Sequence, residues 1–153
     1  MITAERFHDF SYGHRVHGHE NKCAFIHGHN GRAHFKVGAF DAGLDDVGRV
    51  LDFSVIKSKL CVWLEENWDH KFLAWEDDEI MKRIYQDSQE HGNIDSGTTL
   101  AASIVWVPFN PTAENMALHL LHEIGPLQLQ GTGCQLISVT IEETRKCQAT
   151  ASL

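Results

Sequence analysis

An α+β fold, with an antiparallel β-sheet and helices packed on one of its faces, is what the sequence predicts. Two segments alternate with a period of two, three carry apolar residues at helical spacing, and the strand-like segments follow at hairpin-like distances. Residues 32–40 put Ala33, Phe35, Val37 and Ala39 on one side and Arg32, His34 and Lys36 on the other, a strand with one buried face. Gly and Asp crowd residues 41–48, which predicts a turn, followed by a short strand into Leu51 and Asp52. Ser54 is placed to cap a helix with an apolar stripe of Ile56, Leu60, Trp63 and Leu64. Lys57, Lys59, Glu65 and Glu66 face outward, and the helix is expected to end near Trp68.

Residues 78–90 carry Ile80, Met81, Ile84 and Tyr85 among charges, a second helical pattern that stops before Gly92. Residues 96–99 read as loop and 104–107 as a short apolar strand. Asn110-Pro111-Thr112 is a helix start, because proline fits the first turn and Asn or Thr can cap it. Met116, Leu120, Leu121 and Ile124 form that helix's apolar face, and Gly125-Pro126 is expected to end it. Residues 136–143 alternate again, with Ile137, Val139, Ile141 and Glu143 on one side.

A chain of 153 residues suits one domain, spanning 1–153, with one core. Acidic residues outnumber basic ones by 21 to 13, so the formal charge is −8, which argues against a nucleic-acid partner that needs a basic face. No apolar run approaches the ~18 residues of a membrane span, and the polar first 25 residues lack a signal-peptide core. A cytoplasmic protein with no membrane partner is expected. The cysteines Cys23, Cys61, Cys134 and Cys147 are scattered without a C-x-x-C pair, so no disulfide framework is expected.

Histidine is the abnormal residue: there are 11, and five fall between His14 and His29. In an extended segment, His27 and His29 point the same way and both imidazoles can reach one ion, while Gly28 keeps the far side small. His14 is the preferred third ligand, with His17 and His19 of a second His-Gly-His as competitors. Three neutral nitrogens and no fourth protein ligand leave an open coordination position, the mark of a catalytic zinc. Cys23, four residues before His27, is a small buried hydrophobe, a fourth ligand closing the site, or a thiolate base beside a dication. Cys61 and Cys134 fit a structural role.

In Asp69-His70 a carboxylate can hold an imidazole as a general acid, provided that the chain bends out of the helix there. Glu114 suits the first turn of its helix by charge. Glu143 extends the inward side of the last strand, where a carboxylate needs a partner such as a planar ligand with two adjacent N–H donors.

Six motifs in order then bring out a resemblance. Phe10-Ser11-Tyr12-Gly13-His14-Arg15, Cys23-x-x-x-His27-Gly28-His29, Val50-Leu51-Asp52-Phe53, Asp69-His70-x-x-Leu73, Asn110-Pro111-Thr112-x-Glu114-Asn115 and Glu142-Glu143-Thr144 cover most of the chain. Together they resemble the 6-pyruvoyltetrahydropterin synthase/QueD family. The three-residue gap between Cys23 and His27 is similar to that of the QueD-type 6-carboxy-5,6,7,8-tetrahydropterin synthases rather than to the wider gap of animal-type pyruvoyl enzymes.

The resemblance implies a zinc-dependent lyase that converts 7,8-dihydroneopterin triphosphate to 6-carboxy-5,6,7,8-tetrahydropterin, acetaldehyde and triphosphate, in 7-deazaguanine (queuosine) biosynthesis. By resemblance, His14, His27 and His29 bind Zn2+ and Cys23 abstracts a proton. Asp69 and His70 return protons, Glu143 anchors the pterin, and Glu114 and Thr112 lie near the substrate. It also implies the tunnelling fold, in which sheets from several subunits join into a barrel, trimers pair into a homohexamer, and sites form where subunits meet. Three features depart from the family: Ala74 stands where it usually has Asn, residues 75–107 are longer than in compact members, and His17-Gly18-His19 is extra. Two other readings are a 6-pyruvoyltetrahydropterin synthase or folate-route relative, and a non-catalytic zinc-stabilised binding module in which Cys23 joins the three histidines.

Overall fold

The computed structural model describes residues 1–41, 43–95 and 97–153. Both ends of the chain enter one six-stranded sheet in the order β6-β3-β1-β2-β7-β8. Strands β1 (Thr3–His14) and β2 (His27–Ala39) pair antiparallel. So do β2 with β7 (Cys134–Thr144), and β7 with β8 (Cys147–Ser152). The expected antiparallel sheet gains two parallel members: β3 (Lys71–Trp75) runs parallel to β1, and β6 (Ile104–Val107) parallel to β3. A parallel neighbour requires a crossover of a dozen or more residues. The connection from β1 to β3 includes β2, and residues 76–103 supply the crossover from β3, so the long stretch after Trp75 is the connection that delivers β6.

The period of two sorts the sheet's residues between its faces. Phe10, Tyr12 and His14 of β1, Ala33, Phe35 and Val37 of β2, and Val139 and Ile141 of β7 are buried on one face. Their cover is a helix that runs from α1 (Phe53–Ile56) through a π segment into α2 (Val62–Asn67), and a second from α4 (Ala113–His119) through another π segment into α5 (Gly125–Gln128). Ile56, Leu60, Leu64, Met116, Leu120 and Leu121 come from these helices into the same core. Each such side chain contributes about 1.5–3 kcal/mol on burial. The other face is polar: His34 lies 3.2 Å from Glu5 and 3.3 Å from Glu142, and Arg32 donates to Asp9 at 2.6 Å.

Local chemistry explains several departures from the expected elements. Asp52, not Ser54, caps the first helix, accepting from the Ser54 N–H at 2.8 Å; residues 50–52 therefore end a turn rather than form a strand. Ala42 of the predicted 41–48 turn lies outside the described residues, as does Ser96 of the predicted 96–99 loop. Thr98–Thr99 (β5) pairs with Asn93–Asp95 (β4) as a small hairpin. The helix over 78–90 is α3 (Glu79–His91), capped by Asp78.

Gly125-Pro126 does not stop its helix. The Gly125 N–H reaches back to the Leu120 carbonyl in a widened turn, and Pro126 follows it in the first positions of α5. Glycine is there for close packing: a Cβ at Gly125 would stand 2.5 Å from Leu136 Cδ1. In β7 the alternation slips. Lys36 pairs with Ser138 and Val37 with Leu136, so Ile137 is the extra residue of a bulge, and Leu136 rather than Ile137 shares the buried face with Val139 and Ile141.

Candidate active site

Cross-strand register assembles the histidines. His14 ends β1 opposite His27, which opens β2, and Tyr12 lies opposite His29, so all three imidazoles lie at one end of the sheet on its helix-facing side. The ring centroids form a near-equilateral triangle with sides of 4.6, 5.0 and 5.0 Å. Backbone carbonyls fix two of the tautomers. His14 Nδ1–H donates to the Pro111 carbonyl at 2.6 Å and His27 Nδ1–H to the Phe25 carbonyl at 2.7 Å, which leaves each Nε2 as a free lone pair.

Burial, above all, lowers the His14 pKa to about 4; the neighbouring His27 and His29 lower it further, and the Pro111 carbonyl opposes them. Burial also lowers His29, with Glu143 opposing. Neutral imidazoles are the ligand form.

These donors fit a metal ion. One ligand atom from each of His14, His27 and His29 lies within 4.8 Å of the others, and His14 Nε2 is 3.1 Å from His29 Nε2. Nitrogens bound tetrahedrally at about 2.0–2.1 Å from a zinc ion lie about 3.3 Å apart. Cys23 is not in that group. It sits exposed in a 3-10 turn (Lys22–Ala24) and lines a cavity of about 330 Å³ together with the three histidines, Thr112, Glu114 and Glu143. Glu143 places its two oxygens 3.7 Å from His14 Nε2 and 3.9 Å from His29 Nε2. Thr112 caps α4, its hydroxyl accepting from the Asn115 N–H at 3.2 Å, which sets Glu114 in the first turn at the cavity wall.

Asp69 and His70 do not line this cavity. They open into a hollow of about 580 Å³ shared with Ser11, Arg32, Glu142 and Arg145, residues of the sheet's polar side and its β7–β8 turn. The required bend is present, because His70 has a left-handed φ of 58°. That conformation costs about 1–2 kcal/mol, and the His70 N–H, donating to the Ser11 carbonyl at 2.7 Å, holds it. Asp69 accepts from the Ser11 N–H at 2.8 Å and lies 2.9 Å from His70 Nδ1. Burial raises the Asp69 carboxyl, but the Ser11 and His70 donors outweigh it and the net pKa is lowered. The His70 ring is 81% exposed, free to meet a group outside its own chain.

The extra histidines have other partners. His17 and Asn110 exchange two hydrogen bonds of 3.0 and 2.9 Å, and the His17 ring meets Trp75 edge-on at 5.6 Å. His19 Nδ1 accepts from the Asn21 N–H at 2.9 Å. Arg15, next to His14, lies 2.8 Å from Asp78, the buried cap of α3, with its N–H turned off the line of the pair. Residues 75–78 thereby hold the segment that leaves His14. Sequence reasoning missed the Pro111 carbonyl, which has no side-chain signal.

Comparison with known proteins identifies the family. The family described as 6-pyruvoyl tetrahydropterin synthase matches residues 3–152. A relative from Rickettsia felis named 6-carboxy-5,6,7,8-tetrahydropterin synthase is 35% identical over 147 residues, covering 96% of this chain and 97% of its own. An uncharacterized protein from Wolinella succinogenes shares the fold with a TM-score of 0.81 at 24% identity, covering 99% of this chain and 97% of the other. The Caenorhabditis elegans 6-pyruvoyl tetrahydropterin synthase superposes with a TM-score of 0.65 at 25% identity, covering 99% and 95%. With three histidines converging from β1 and β2 and a family match that runs nearly end to end, the chain belongs to the 6-pyruvoyl tetrahydropterin synthase family.

Proposed function

We propose that this protein is a zinc-dependent 6-carboxy-5,6,7,8-tetrahydropterin synthase acting on 7,8-dihydroneopterin triphosphate in 7-deazaguanine (queuosine) biosynthesis. The convergence of His14, His27 and His29 beside Cys23 and Glu143 in one cavity is the observation that carries it, and relatives carrying that name at about one-third identity support it. His14, His27 and His29 would hold the ion through neutral nitrogens. A zinc ion bound there would polarise the substrate's side-chain oxygens and acidify the adjoining C–H bonds.

The chain's own groups do the rest. Cys23, unligated, takes a proton from the side-chain carbon as thiolate. Glu143 accepts two adjacent N–H donors of the pterin ring and fixes its orientation. Asp69 keeps the His70 imidazole oriented for returning protons. Because that pair faces away from the histidine cavity, it serves the site of a neighbouring copy, in keeping with a homohexameric barrel. Thr112 and Glu114 border the substrate. The whole chain, 1–153, acts as one unit, with a cytoplasmic location. No described helix is long and apolar enough to cross a membrane.

Incubation with 7,8-dihydroneopterin triphosphate, followed by mass spectrometry of the pterin and an aldehyde assay, tests the reading. 6-Carboxytetrahydropterin with acetaldehyde is the expected pair; a pyruvoyl product without acetaldehyde assigns the chain to the other branch. Cys23→Ala is expected to keep one zinc per chain and to lose at least a hundredfold in kcat. Loss of zinc from that variant would show the thiol to be a ligand and support the closed, non-catalytic site instead.

A further inference from the structure

Tyr12 carries a polar atom that the mechanism leaves unused. The residue is 4% exposed, and its hydroxyl is buried without a hydrogen-bond partner. Among the described residues the other such atom is Arg15 Nε, which has the Asp78 carboxylate 2.8 Å away. Tyr12 therefore holds the orphan. Leaving a buried hydroxyl unpaired is unfavourable, and native proteins seldom keep one without a use for it.

The ring's position says what the use is. Tyr12 stacks on Phe10 at 4.8 Å and meets His14 at 5.2 Å and His29 at 5.5 Å. It leans over β2 at Gly31, where a Cβ would stand 2.7 Å from Tyr12 Cε1 and 3.3 Å from the Glu142 carbonyl oxygen. Gly31 is thus a gap between the ring and β7, and any side chain there would fill it. Glu143, the next residue of β7, contacts the same two histidines that Tyr12 contacts, at 3.7 and 3.9 Å, too far for hydrogen bonds.

We propose that Tyr12 is a positioning residue for Glu143: its hydroxyl, reaching across Gly31, donates to the Glu143 carboxylate when that carboxylate turns from the imidazoles to a bound pterin. The inference rests on the pterin reading of the cavity and names the group that aims the anchor. Once the histidine nitrogens hold an ion they have nothing to offer Glu143, and the pterin's two N–H donors occupy one edge of the carboxylate. The remaining lone pairs need a donor from inside the protein, and the orphan hydroxyl belongs to the ring that packs over Gly31 beside β7. Burial, and after it the Glu143 charge, raise the pKa of the phenol.

The test is binding of neopterin, a fluorescent oxidised pterin, to the zinc-loaded protein and its variants. Tyr12→Phe is expected to weaken neopterin about tenfold, with zinc affinity unchanged and the melting temperature of the ligand-free protein equal or higher, since the substitution removes an unpaired buried hydroxyl. In a Glu143→Gln background the same substitution is expected to change neopterin affinity less than twofold, the signature of two residues acting as one unit. Equal binding by wild type and Tyr12→Phe overturns the proposal, as does a tenfold loss that persists in the Glu143→Gln background. A wild-type protein that binds no pterin overturns the functional reading as well, so the two failures are told apart.

Discussion

The chain contains the tripeptide His-Gly-His twice, and the two copies do different things. In His27-Gly28-His29 the backbone is extended within β2, both rings fall on one side, and register with β1 adds His14 as a third. In His17-Gly18-His19 the glycine adopts φ 80° in a turn, one ring packs on Trp75, and the other accepts from Asn21. His19 reaches the cavity wall but stays outside the group that could share an ion. Spacing that permits chelation is therefore insufficient. An alternating backbone places ligands together, and a left-handed glycine between them sends them apart.

The most forceful way to break this contrast is to remove ligands one at a time. His14→Ala, His27→Ala and His29→Ala are each expected to weaken zinc binding a hundredfold or more and to abolish turnover, whereas His17→Ala and His19→Ala change zinc affinity less than threefold. Zinc content after dialysis against a competing chelator reads this directly. A large loss from His17→Ala or His19→Ala would mean that the second tripeptide joins the site.

Acid comes next. Folded His14 is neutral down to about pH 4 because it is buried, whereas the unfolded side chain titrates near its ordinary value of 6.5. Between those values the unfolded chain binds the extra proton. The zinc-free protein is therefore expected to lose stability as pH falls from about 6.5 to about 4, by roughly 3 kcal/mol, with no further loss from this group below that range. Urea midpoints at a series of pH values should show the slope in wild type and a shallower one in His14→Gln; equal slopes would count against a buried neutral imidazole.

Gly18→Ala sharpens the backbone half of the comparison. No heavy atom lies within 4 Å of the added Cβ, so only the left-handed φ penalises it, by about 1 kcal/mol. Thermal unfolding should register that loss while zinc affinity holds. Smallest of all, His17→Ala removes the edge-on contact with Trp75 and should cost about 0.5–1 kcal/mol. No measurable change there would mean that the hydrogen bonds of the turn, rather than the Trp75 contact, anchor it.

Much of the architecture was legible because it is local. Alternation over residues 32–40, the Thr112 cap and the apolar stripes at 56–64 and 116–124 each report a face or an end within one element. What escaped depends on neighbours. β1 shows a buried face only at Phe10, Tyr12 and His14, and β8 buries only Ala151, so neither announces itself as a strand. The Ile137 bulge is set by pairing with β2, and Gly125-Pro126 reads as a stop until Leu136 is seen packed against the glycine.

The site divides along the same line. Composition and spacing alone single out the histidine-rich start of the chain, pair His27 with His29, and put Glu143 on the inward face of its strand, because each follows from a two-residue repeat. Only the folded chain brings His14 within reach of the pair and leaves His17 and His19 outside it, turns Asp69 and His70 toward a different hollow, and packs Tyr12 over Gly31. Those outcomes are decided by strand register and by the handedness of single residues. Both are settled by contacts between segments far apart in the chain, which no local pattern records.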